Sequence, residues 1–142
     1  MNEPDTTSQS IVIEKELPYP PEKIWRALTE SSLLKEWLLE NDFAPAVGRR
    51  FNFRTTPMPQ WNGVIDCEVL SAEPQRRLSY TWNPFEGLNT TVAWTLTPTK
   101  TGTLLRMEHS GFRPDQQGAR KGATYGWKQF LSGLEKTLAG LE

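Results

Sequence analysis

His109 is the one histidine of the chain and the one side chain that ordinarily titrates near neutrality. It sits in the run Thr103 to Ser110, where strand alternation places it on the apolar side with Leu105 and Met107. A histidine there can bind a ligand hydroxyl or act as a base. A lone histidine on an apolar face is nevertheless more often a hydrogen-bonded core residue. Glu108 cannot serve as its partner, because adjacent strand residues point to opposite faces. Asp66 and Glu68 share a face and invite a general acid/base reading. Alternation puts them opposite Ile65, Cys67 and Val69, hence on the solvated side, as surface partners for Arg77 or Arg106.

Other chemistries fail on residue count. One cysteine and one histidine cannot build a zinc site, and neither His-Glu-x-x-His nor Cys-x-x-Cys occurs. No Gly-x-Ser-x-Gly elbow, phosphate loop or dinucleotide fingerprint is present, so neither a metal nor another cofactor is expected. Sixteen basic and 17 acidic residues give a net charge of −1. Arg49, Arg50, Arg54, Arg76 and Arg77 together with the six tryptophans raise the alternative of a nucleic-acid surface. Acidic residues are interleaved among them and alternation turns most tryptophans inward, which argues against nucleic acid. A single Cys67 precludes an intrachain disulfide and fits a reducing, cytoplasmic setting.

The elements that would position these residues follow from periodicity. Residues 1–10 lack a basic and an apolar region and read as a disordered leader, and residues 11–142 as one domain. Ile11 to Leu17 is a first strand, stopped by Pro18 and Pro20. Two short helices follow, Glu22 to Leu28 and Leu33 to Leu39, the second capped by Thr29 or Ser31. From Gly48 the period becomes two, with strands at Arg49 to Arg54, Gly63 to Ser71, Arg77 to Asn83, Asn89 to Pro98 and Thr103 to Ser110. Asp115 to Leu141 carries Trp127, Leu131, Leu134, Leu138 and Leu141 as one helical stripe. The expected fold class is α+β: a curved antiparallel sheet of about six strands around a long C-terminal helix. Apolar runs are far shorter than the roughly 20 residues of a bilayer span, so no membrane insertion is expected.

In a meander, alternate loops share an end. One end receives the short polar Glu73 to Arg76 and Thr99 to Gly102. The other receives Thr55 to Asn62, Pro84 to Leu88 and Gly111 to Pro114, which carry Met58, Trp61, Phe85, Leu88 and Phe112. Apolar residues gathered on loops at one pole suggest a pocket mouth there. The expected ligand-binding set is Trp37, Phe53, Met58, Trp61, Cys67, Tyr80, Trp82, Phe85, Trp94, Met107, His109, Phe112, Trp127 and Phe130, drawn from loops, inward strand faces and helices. No catalytic residue is assigned.

The order of motifs carries a resemblance. Pro20-Pro21-Glu22-Lys23-Ile24-Trp25-Arg26-Ala27-Leu28-Thr29, Trp37 and Val47-Gly48-Arg49-Arg50-Phe51 resemble the START-like, helix-grip superfamily. Arg77-Leu78-Ser79-Tyr80-Thr81-Trp82, Gly102-Thr103-Leu104-Leu105, His109-Ser110-Gly111-Phe112 and Gly126-Trp127 narrow it. They are similar to bacterial homologues of the C-terminal domain of the heat-shock-protein ATPase activator. The resemblance covers nearly everything after Ser10. It implies a sheet gripping the last helix, with a cavity for a lipid, polyketide-like or other hydrophobic molecule. Two alternatives accompany it: a chaperone-cofactor module binding a protein partner, and a cyclase- or hydrolase-type enzyme using His109 or Tyr80. A non-enzymatic carrier or sensor, monomeric or weakly dimeric, is the favoured expectation.

Overall fold

The structure is a computed structural model that describes residues 9–141. Its elements are β1 (Gln9–Leu17), α1 (Pro21–Thr29), α2 (Ser31–Trp37), β2 (Glu40–Asn41), β3 (Arg50–Arg54), β4 (Val64–Glu73), β5 (Arg77–Trp82), β6 (Thr90–Pro98), β7 (Thr103–Phe112) and α3 (Gln117–Ala139). One antiparallel sheet runs β1-β7-β6-β5-β4-β3-β2, and the long α3 lies in its concave face. The architecture is the expected α+β helix grip. The sheet has seven strands rather than about six, because residues 40 and 41 pair with Arg54 and Phe53 as a two-residue edge strand. So short a run carries no alternation to read.

Strand β1 begins at Gln9, so Gln9 and Ser10 belong to the sheet; the rest of the expected leader lies outside the described residues. Backbone pairing to β7 and a 2.7 Å bond from Gln117 Nε2 to Gln9 Oε1 hold them. Neither expected cap closes α2: Thr29 Oγ1 donates back to the Trp25 carbonyl, and Ser31 Oγ binds Asn41 instead. The Trp37 indole N–H donates to the Ala27 carbonyl at 2.9 Å and stitches α2 onto α1.

Alternation sets the inner face as expected. Phe51 and Phe53, Ile65, Cys67 and Val69, Leu78, Tyr80 and Trp82, Val92, Trp94 and Leu96, and Leu105, Met107 and His109 are all buried. Against them α3 buries Trp127, Leu131, Leu134 and Leu138. The outer face carries the ions, with different partners from those expected. Glu68 lies 3.8 Å from Arg50, and Arg106 pairs with Glu14 at 3.4 Å and Glu108 at 3.0 Å. The register explains this, since Glu68 lies opposite Arg50 and Arg106 opposite Glu14.

One bulge matters for the interior. Between Ser110 and Phe112 the ladder to β1 slips by a residue, with Gly111 at φ +103°. The slip reverses parity, so Phe112 turns inward, and its ring centroid lies 4.7 Å from that of His109. A Cβ at position 111 would sit 3.1 Å from the Asn89 carbonyl oxygen and 3.2 Å from Thr90 Cα. Gly111→Ala should therefore lower the unfolding free energy by about 1–3 kcal/mol, read from urea denaturation, since a side chain meets both strain and crowding there.

Candidate functional site

The first half of α3 does not fill the concavity. On the turns where the second half presents Leu131, Leu134 and Leu138, the first half presents Ala119, Gly122, Ala123 and Gly126. The side chains lost at those positions leave a cavity of about 560 Å³ under the pole where the long loops converge. Its wall comprises those four small residues with Trp127 and Phe130 from α3, Trp82 from β5, Ile65 from β4, His109 and Phe112 from β7, and Leu39, Thr55, Trp61, Pro84, Phe85 and Leu88 from the loops. The volume is in the range of small-molecule sites. No Asp, Glu, Lys or Arg contributes to this wall.

The rim is tied together by hydrogen bonds. The Trp61 indole N–H donates to the Pro84 carbonyl at 2.8 Å and the Val64 carbonyl at 3.2 Å, joining the β3–β4 and β5–β6 connections. Gln116 Nε2 donates to the Gly87 carbonyl at 2.8 Å and ties the second of these loops to the start of α3.

His109 is held at both ring nitrogens. An indole N–H can only donate. The 2.9 Å contact from Trp127 Nε1 to His109 Nδ1 therefore makes Nδ1 the acceptor and leaves the proton on Nε2. Nε2–H then donates to Thr90 Oγ1 at 2.8 Å, and the Thr90 hydroxyl donates to the Trp82 carbonyl. The line has one direction throughout. Burial holds the imidazole pKa down at about 3, and the donor at Nδ1 acts in the same sense. The ring face borders the cavity, but no lone pair is left to take a proton from a ligand.

The expected ligand-binding residues divide by depth. Trp61, Trp82, Phe85, His109, Phe112, Trp127 and Phe130 border the cavity. Trp37, Phe53, Cys67, Tyr80, Trp94 and Met107 share the buried face but lie outside its lining, and Met58 is exposed at the rim of an outer groove shared with Trp61 and Phe85. Trp94 packs edge-on to Trp37 and Trp127 at 5.9 and 5.6 Å, and its N–H donates to Tyr80 Oη at 3.0 Å. Burial raises the Tyr80 pKa above its ordinary value. The Cys67 thiol is raised by burial and by the nearby Asp66 and Asp42 carboxylates, so it stays protonated. Among the described residues no cluster of His, Cys, Asp and Glu could hold a metal, and no helix is long and apolar enough to cross a membrane.

The sequence profile of the family described as Activator of Hsp90 ATPase homolog 1-like protein matches residues 18–139. The chain belongs to that family. Its relatives of known structure share the START-like grip. The protein MLL2253 of Mesorhizobium loti is 52% identical, superposes with a TM-score of 0.88, and matches over 94% of this chain and 99% of its own. A Rhodobacter sphaeroides protein is 26% identical with a TM-score of 0.77, over 96% of this chain and 95% of that one. The Bacillus halodurans protein BH1534, at 24% identity and a TM-score of 0.78 over 93% and 99%, shares the fold. No functionally curated protein matches the chain. Within this family member, Trp82, His109, Phe112, Gly126 and Trp127, all from segments that carried the resemblance, border the cavity.

The tautomer has a measurable consequence. His109 binds a proton at about pH 6.5 when unfolded but only near pH 3 when folded. Between these values the unfolded chain holds more protons, so the stabilisation from a neutral His109 is complete above pH 6.5 and is lost as pH falls toward 3. Its NMR Cε1–H resonance should show no titration between pH 8 and 4.5. His109→Phe should remove up to about 1.4 kcal/mol per pH unit from the acid-side stability slope.

Proposed function

We propose that this family member binds a small hydrophobic molecule in the cavity between sheet and α3. The observation that carries the reading is the cavity itself: about 560 Å³, walled by aromatic rings and helix backbone, with no charged side chain. Helix interiors lose about 1 kcal/mol for each glycine relative to alanine. A Cβ at Gly122 would meet nothing within 4 Å, so packing does not demand that glycine. Retained volume is what it provides. With one buried cysteine and no expected cofactor, the reading is of a cytoplasmic carrier or sensor.

A base-catalysed reaction at His109 or Tyr80 is not what the geometry supports. The imidazole has both nitrogens engaged, and the Tyr80 hydroxyl accepts a bond from Trp94 away from the cavity wall. A protein-partner role, in keeping with the family's description, would use the exposed Met58 and Phe85 at the rim. Met58→Ser, which lies outside the cavity wall, would then abolish capture of a heat-shock chaperone in a pull-down while leaving small-molecule binding intact.

The ligand reading is tested by a thermal-shift screen of flavonoids, fatty-acid derivatives and polyketides, with native mass spectrometry of freshly purified protein. A ligand at 100-fold its Kd adds about 2.7 kcal/mol, a rise in Tm of several degrees. Gly122→Leu, which fills the cavity from the helix side, should abolish that rise while leaving the unliganded Tm equal or higher. If no apolar compound raises Tm or stays bound in the gas phase, the reading fails.

A further inference from the structure

Resting on the ligand-binding reading above, we infer that the cavity takes an uncharged aromatic molecule carrying a carbonyl-type acceptor, and that the Trp82 indole N–H is the group that meets it. The polar atoms of the wall are almost all spent on the protein. Trp61 Nε1 is bonded to Pro84 and Val64, Trp127 Nε1 to His109 Nδ1, and His109 Nε2 to Thr90. With no cationic or anionic side chain in the wall, an ionised ligand would lose its hydration and find no counter-charge, a cost that favours the neutral form.

Trp82 differs from the other two indoles. It borders the cavity and is only 7% exposed, yet among the described residues its Nε1–H has no protein acceptor and is not sealed away. Its ring lies 5.2 Å from Trp127 and 5.7 Å from His109, so the indole that carries this unspent donor is part of the aromatic floor of the cavity. An indole N–H offers one donor and no acceptor. A ligand that displaces water from it without supplying an acceptor leaves a buried donor unpaired. The opposite wall is the near-bare helix surface at Gly122 and Gly126, which suits a flat molecule laid between rings and backbone.

Three naphthalene probes test this by fluorescence titration. N-phenylnaphthylamine is neutral and lacks a carbonyl; anilinonaphthalene sulfonate has the same skeleton with an added anion; propionyl-dimethylaminonaphthalene is neutral and has a ketone. Both neutral probes should bind the wild-type chain, and the sulfonate at least about tenfold more weakly. Trp82→Phe should weaken the ketone probe roughly five- to tenfold and N-phenylnaphthylamine less than about twofold, the latter also reporting that the cavity is intact. Thr55→Lys, at the rim, should raise sulfonate affinity. The inference is overturned if the sulfonate binds as tightly as its neutral twin, if Thr55→Lys leaves it excluded, or if Trp82→Phe weakens both neutral probes equally. If none of the three binds the wild-type protein, the hydrophobic-ligand reading falls, and this inference falls with it.

Discussion

One line of hydrogen bonds crosses the interior from helix to sheet: Trp127 to His109, His109 to Thr90, Thr90 to the Trp82 carbonyl. It joins α3 to β7, β6 and β5, and apolar packing alone does not specify the rotation of a helix in a curved sheet so narrowly. Each member has its partner, which is the condition for such a chain to stabilise rather than burden a core. The line also settles the electrostatics. A histidine that must accept from an indole cannot be an imidazolium without breaking that bond, so the centre of the molecule stays neutral. The space beside it is likewise uncharged, because its wall carries no Asp, Glu, Lys or Arg.

That space arises from a change of residue size along one helix face. The second half of α3 fills the concavity with Leu131, Leu134 and Leu138, all buried. The first half, with alanine and glycine in the same positions, leaves it open and offers little intrinsic helical preference. Stability is thus concentrated at one end of the domain and volume at the other. The rim bonds of Trp61 and Gln116 brace the weaker end through its loops.

Much of this was readable from residue order. A period of two after Gly48 and the leucine stripe of the last helix specify the grip, and loop parity separates the aromatic pole from the polar one. Alternation says which face a side chain takes but not how far along the strand axis it lies. Trp94, Tyr80 and Trp82 therefore look equivalent in sequence, although Trp82 alone of the three borders the cavity. The deepest omission is Ala119, Gly122, Ala123 and Gly126. Residues that make space contribute no hydrophobic signal, and only their three-and-four spacing in register with Trp127 and Phe130 marks them. Phe112 reaches the interior through the bulge at Gly111, which strict alternation does not foresee. The ion pairs of Glu68 and Arg106 depend on register, which periodicity leaves open.

The sheet closes by pairing its first strand with its last, Leu17 opposite Thr103 and Ile11 opposite His109. During synthesis β1 therefore leaves the ribosome with no partner, and its ladder forms only after nearly the whole sheet has been made. At roughly 5–20 residues per second that interval lasts several seconds, long against hairpin closure. Three alternating charges, Glu14, Lys15 and Glu16, lie along this edge strand. A nascent strand patterned with charge resists pairing with a stranger while it waits. The topology that encloses the cavity thus delays its completion until the final strand arrives.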